Sequence, residues 1–147
     1  MTINFLKPED LQGLKELYED GFEGSKTDLK RMLETFGIIK DNPNYNILCA
    51  KEDGKIVGSV TGIANYELFG DCQPFMVVEN VAVLNQYRRR GIAKQLMVKL
   101  EERAAQQNCS MIIFVSSAHR AGAHKLYESL GFGEDKVNGY RKRLKQD

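Results

Sequence analysis

Two adjoining stretches carry residue types whose spacing suits chemistry. The first is Val77-Val78-Glu79-Asn80-Val81-Ala82-Val83-Leu84, an apolar run rich in β-branched residues and broken by one Glu-Asn pair. That composition reads as a buried strand. A carboxylate set inside such a run is expensive unless it is paired or used, because desolvation disfavours its charged form. A carboxylate with proton affinity raised in that way makes a better general base. Glu79 is therefore a candidate base; the plainer reading is a surface or salt-bridged glutamate beyond the end of the buried run. Asn80 either hydrogen-bonds a substrate or satisfies a strand irregularity.

The second stretch is Asn85-Gln86-Tyr87-Arg88-Arg89-Arg90-Gly91-Ile92-Ala93-Lys94, short, polar and basic. It leads into a segment whose apolar positions Ile92, Leu96 and Leu100 recur one helical turn apart. A strand, a tight loop and a helix leave the orphan N–H groups of the helix's first turn aimed at one point, and the helix dipole adds partial positive charge there. That is a phosphate site. Gly91 lacks a Cβ, which allows a sharp bend and close approach of an anion to the backbone; Ala93 is small for the same reason. Arg88, Arg89 and Arg90 add formal charge around the mouth. A nucleoside-triphosphate P-loop is excluded, since no Gly-x-x-x-x-Gly-Lys-Ser/Thr occurs.

The elements that position these stretches follow from pattern. Thr2 to Leu6 alternates weakly and reads as an edge strand. Pro8 opens a helix, where its missing donor costs nothing, and Leu11, Leu14, Leu17 and Tyr18 form the buried stripe. A second helix has Thr27 or Asp28 as N-cap and Leu29, Met32, Leu33 and Phe36 on one face, ending at Gly37 and Asn42-Pro43. Tyr45 to Lys51 and Ile56 to Leu68 make a hairpin around Asp53-Gly54. After the central strand, phosphate loop and third helix, Met111-Ile112-Ile113-Phe114-Val115 is a continuous apolar run, expected as a strand covered on both faces. A last helix carries Ala123, Leu126, Tyr127 and Leu130 and ends at Gly131, and Val137 to Leu144 is expected to close the sheet. This order gives an α+β fold with a mixed, mostly antiparallel central sheet flanked by helices.

Arg88-x-x-Gly91-x-Ala93 resembles the Gln/Arg-x-x-Gly-x-Gly/Ala signature of the Gcn5-related N-acetyltransferase (GNAT) superfamily, which holds the pyrophosphate of coenzyme A. The Glu-Asn-Val-Ala-Val strand before it and the Ala123-x-x-x-Tyr127-x-x-x-Gly131-Phe132 stretch after it are similar to that family as well. The likeness is clear from about Ile56 to the C-terminus. It implies the acyl-CoA N-acyltransferase fold, a single N-acetyltransferase domain over residues 1–147, and acetyl-CoA as co-substrate. In the family the fourth and fifth strands, here Phe75–Leu84 and Met111–Ser116, splay apart around the pantetheine arm. The resemblance then places Val81, Ala82 and Val83 beside that arm, and Arg88 to Lys94, including Ile92, around the phosphates. It helps Glu79 as base, a position where the family often has a glutamate. Tyr127, by pattern alone a buried tyrosine with a satisfied hydroxyl, becomes by resemblance the group that protonates the departing thiolate. Arg120 stands where the common pattern has an asparagine seven residues before the tyrosine; an arginine there suits a cofactor phosphate.

Composition sets the remaining bounds. The chain has 147 residues and a net charge of +1, the size of one domain with a real core and no bulk electrostatic case for nucleic acid. Cys49, Cys72 and Cys109 are odd in number and lack Cys-x-x-Cys spacing, as expected of reduced thiols in a cytoplasmic protein. The N-terminus lacks a signal-peptide layout, and no apolar run reaches the ~20 residues that span a bilayer. His119 and His124, five apart, fall on different helix faces, so no metal site is expected. The expected function is acetyl transfer to a primary amine of a small molecule or peptide, by direct transfer in a ternary complex. A catalytically silent acetyl-CoA sensor is the alternative, and an arginine-based nucleic-acid binder a weaker third. In the family the acceptor is bound by the first two helices and nearby loops. The acceptor's identity and the oligomeric state stay open, a homodimer being common in the family.

Overall fold

The computed structural model describes residues 1–115 and 121–145. These form two compact units, Met1–Phe114 and Val115–Asp147. The first holds a five-stranded sheet in the order β1(Thr2–Phe5), β2(Tyr45–Glu52), β3(Lys55–Asn65), β4(Phe75–Val83), β5(Ile112–Phe114). All neighbours are antiparallel except β4 and β5, which run parallel. The helices are α1(Leu11–Gly21), α2(Leu29–Ile39) and α3(Ile92–Gln106) in the first unit, and α4(Ala121–Ser129) in the second. The expected mixed sheet flanked by helices is what the chain forms.

Local chemistry accounts for the boundaries. Pro8–Asp10 make a 3₁₀ turn before α1, and Asp28, not Thr27, caps α2 by accepting from the Arg31 amide at 3.2 Å. Gly37 does not end α2, which continues to Ile39: a glycine lowers helix propensity but breaks no hydrogen bond. The hairpin turn places Asp53 and Gly54 both at positive φ, 51° and 77°, as the Asp-Gly pair predicts.

Sheet and α3 meet unusually closely along β3. A Cβ on Gly58 would lie 2.9 Å from Ile92, and one on Gly62 would lie 2.6 Å from Leu100 and 2.7 Å from the Met76 sulfur. The two glycines let Ile92, Leu96 and Leu100, all buried, settle directly on the strand backbone. On the opposite face Leu11, Leu14 and Leu17 of α1 complete the core. The buried Asn46 is fully engaged: its amide donates to Gln107 Oε1 at 2.9 Å and to the Asn44 and Gly62 carbonyls, and its oxygen accepts from Arg103.

Three expectations are corrected. β3 ends at Asn65 rather than Leu68, and Tyr66 and Leu68 are exposed. β5 spans three residues, half-buried rather than covered on both faces, because it pairs with β4 alone and lies at the sheet edge. The segment Val137–Leu144 forms no strand: among the described residues the sheet stops at β5. Val137, Tyr140 and Leu144 are spaced by three and four, with Asn138-Gly139 and then three cations between them, so no period-2 apolar face exists to bury, and all three are exposed.

Candidate active site

β4 changes character halfway along. Thr61 pairs with Glu79 and Ser59 with Ala82, so β4 spends two residues, Asn80 and Val81, where β3 spends one. This is a β-bulge, and Asn80 takes the left-handed conformation it requires, φ 52°. Asparagine tolerates that region better than other non-glycine residues, so Asn80 answers to a strand irregularity, and it also lines a cavity between α1, α2 and the sheet.

Glu79 lies just before the bulge, in register with Thr61, on the face opposite the buried Met76 and Val78. Glu79 is exposed, which corrects the expectation of a carboxylate desolvated within an apolar strand. The run is apolar in composition, yet alternation along the strand sets its one acid on the face that opens to the cavity. Glu79 lines this cavity of about 480 Å³, bounded by α1, α2 and the sheet face that carries Ile47, Thr61 and Ile63. Tyr18 of α1 reaches the same cavity, and its phenol is held above its ordinary ionisation range. Burial is the main cause, the Thr61 and Ser59 hydroxyls oppose it, and the nearby Glu79 charge adds to it.

Beyond Val78 no described residue pairs with the other edge of β4. Pairing with β5 covers Met76↔Ile112, Val77↔Ile113 and Val78↔Phe114. Among the described residues no strand lies against Glu79–Val83 on that side. Val81 and Val83 are half-buried and Ala82 is buried, so their side chains belong to the fold.

Asn85–Tyr87 then form a 3₁₀ turn, and Gly91 caps α3 at φ 76°, ψ 13°. Arg89 is also left-handed, φ 63°. The first intrahelical bond of α3 runs from the Gln95 amide to the Gly91 carbonyl at 3.1 Å. Among the described residues, the amides of Arg89, Arg90, Gly91, Ile92, Ala93 and Lys94 have no protein acceptor. Six successive donors at a helix N-terminus suit a diphosphate.

The arginines divide the work. Arg88 donates from its guanidinium to the Gly21 carbonyl at 3.5 Å, tying the loop to the end of α1. Arg90 lies 4.8 Å over the Tyr87 ring and 4.0 Å from Glu52. Arg89 and Lys94 are exposed beside the amides, while the Ile92 side chain is buried against β3.

Residues 11–132 match the acetyltransferase (GNAT) family. The chain belongs to that family. An aminoglycoside N(6')-acetyltransferase type 1 of Salmonella typhimurium is 29% identical over 97 residues, 64% of this chain and 67% of that protein. The N-acetylaspartate synthetase of Xenopus tropicalis is 39% identical over 80 residues, 54% of this chain and 28% of that protein. A solved chain from Agrobacterium tumefaciens str. C58, provisionally described as an acetyltransferase, superposes with TM-score 0.88 at 26% identity over 97% of this chain and 100% of its own. The aminoglycoside N-acetyltransferase AAC(6')-Iy in complex with CoA shares the fold, TM-score 0.79 at 24% identity over 97% of this chain and 95% of that one.

This GNAT chain is thus an acetyl-CoA-dependent acetyltransferase, with acetyl-CoA as its co-substrate. Of the sequence-derived residues, Glu79, Val81, Ala82, Val83 and Arg88 to Lys94 fall on one continuous strand–loop–helix path. Tyr127 is buried on α4, 8% exposed and edge-on to Phe132 at 6.3 Å; Arg120 lies outside the described residues. Tyr18 and Thr61 were legible as core and strand positions only. Lys26 and Arg31, which also line the cavity, carry no motif that would have singled them out. Among the described residues no cluster of His, Cys, Asp and Glu could hold a metal ion, and no helix is long and apolar enough to cross a membrane.

Proposed function

We propose that this GNAT acetyltransferase, a single domain over residues 1–147, transfers the acetyl group of acetyl-CoA directly to a primary amine seated in the cavity between α1, α2 and the sheet. The observation that carries the reading is the continuity of β4. One strand leads from the cavity-lining Glu79, along a backbone edge at Val81 to Val83 that no described residue pairs with, to the acceptor-free amides of Arg89 to Lys94.

Each group has a part. The loop amides, with Arg89 and Lys94 beside them, hold the diphosphate. The same edge of β4 offers N–H and C=O groups to the pantetheine amides and a donor to the thioester carbonyl, where charge develops. Glu79 takes the proton that an arriving ammonium must lose, directly or through a water. Being exposed, it acts as base by position rather than by burial. The nitrogen–carbon bond forms as the carbon–sulfur bond breaks, and Tyr127 returns a proton to the thiolate. Holding both reactants in one geometry supplies much of the acceleration. Arg120 remains proposed as a phosphate contact. The three cysteines are unpaired and Cys49 is buried, in keeping with direct transfer and with a cytoplasmic setting.

The deciding experiment combines calorimetric titration of acetyl-CoA with thiol release over a panel of amino acids, amino sugars, polyamines and peptide N-termini. Binding plus release with one class of amine is the expected outcome. Tight binding with no release across the panel would favour a silent acetyl-CoA sensor.

A further inference from the structure

The cavity has a chemical signature of its own. α2 buries none of its residues, although its sequence is amphipathic. Its apolar side chains Met32, Phe36 and Ile39 instead stand half-buried over the cavity, facing Leu14 of α1 and Ile47 and Ile63 of the sheet. A helix that turns an apolar face to an open cavity leaves surface that an apolar ligand would cover. The cavity's volume lies in the lower half of the ~300–1,000 Å³ range of small-molecule sites.

Four charged side chains share the lining: Lys26, Asp28, Arg31 and Glu79. Asp28 uses one oxygen to cap α2 through the Arg31 amide and keeps its charge. Glu79 makes no ion pair among the described residues, and neither do Lys26 and Arg31. Glu19, whose charge reaches Lys26 only weakly, is held by Lys15. The wall therefore carries two carboxylates, one of them also a helix cap, and two cations, none in an ion pair among the described residues. A polycationic amino sugar would bring several ammonium groups against Lys26 and Arg31, two cations with no ion pair of their own among the described residues. A zwitterion with an apolar body meets every feature: its ammonium faces Glu79, its carboxylate faces Lys26 and Arg31, and its body covers α2.

Resting on the acetyl-transfer reading above, we propose that the acceptor is an amino carboxylate with a bulky apolar or aromatic body.

The test uses three probes, phenylalanine, phenylalaninamide and neamine, each titrated calorimetrically against the full chain with and without CoA, alongside thiol release from acetyl-CoA. Binding and KM are compared rather than turnover, because the amide's amine is the less basic of the first two. Phenylalanine is expected to bind about fivefold more tightly than its amide, the scale of a partly exposed ion pair, with neamine weakest. The K26A/R31A double variant should bring acid and amide to the same affinity. Met32→Glu, which adds a carboxylate to the apolar face, should weaken phenylalanine and strengthen neamine. Equal binding of acid and amide to the unaltered chain, tightest binding of neamine, or no binding of any probe would overturn the proposal. Phenylalanine bound in the expected order without thiol release would keep the cavity as an amino-carboxylate site while overturning its role as acceptor site, so the two failures are distinguishable.

Discussion

Thr61 stands opposite Glu79 across the β3–β4 ladder, and theirs is the last pairing before β4 slips by one residue. Directly opposed residues of an antiparallel pair share a sheet face, so the pairing sets Glu79 on the wall of the α1–α2 cavity, beside Tyr18. The acid reaches this place through the register of a neighbouring strand.

That placement predicts how Glu79→Gln behaves. Removing a general base costs roughly 10²–10⁴-fold in rate, and an exposed carboxylate sits at the low end. The loss should be largest at low pH, where the amine arrives protonated, and should shrink as rising pH supplies free amine. Thiol-release profiles over pH check it; a loss that is uniform across pH, or absent, removes Glu79 from the proton path.

Gly91→Ala isolates the backbone contribution to cofactor binding. A Cβ there meets nothing within 4 Å, yet φ is 76°, so the substitution adds strain without a clash. Re-forming the bend around a diphosphate then costs about 1–2 kcal/mol, and the acetyl-CoA Kd should rise by roughly 5–30-fold. An unchanged Kd by calorimetry would count against the loop as the phosphate site.

Gly62→Ala tests the close seat of α3. Its Cβ would meet Leu100 and the Met76 sulfur inside 3 Å, both side chains fully buried. Overpacking of this kind costs about 1–3 kcal/mol, read as a lower midpoint in urea at unchanged slope. Unaltered stability would show that Met76 and Leu100 can move aside freely.

Cys49 has a pH signature. Burial pushes its thiol from 9.0 up to about 11, the Ser59 hydroxyl opposing the shift. A thiol that ionises later in the folded chain than in the unfolded one contributes stability in full below pH 9.0, and that contribution is lost as pH rises towards 11. Thermal melts should fall across this window, and Cys49→Ala should flatten part of the fall. With a thiol reagent near neutral pH, the exposed Cys72 should react well before Cys49; rapid labelling of Cys49 would contradict the burial.

The strand–loop–helix around Gly91 was legible in the residues because its causes are local. A β-branched run, a basic turn, a glycine and a helical apolar period lie within one short segment, and each acts on its own neighbours. The helices and the hairpin were legible for the same reason, through caps, Asp-Gly and apolar spacing. Three things were decided only by tertiary structure. The exposure of Glu79 depends on the space that its face of the sheet meets beside α1 and α2, which the pairing with Thr61 alone does not report. The apolar stripe of α2 predicts burial, but what it faces is a cavity, because α1 and the sheet leave room beneath it. Whether Val137–Leu144 pairs depends on a sheet edge that no local pattern reports. Sequence periodicity states which face of an element is apolar; only the packed chain states whether that face meets protein or is left for a ligand.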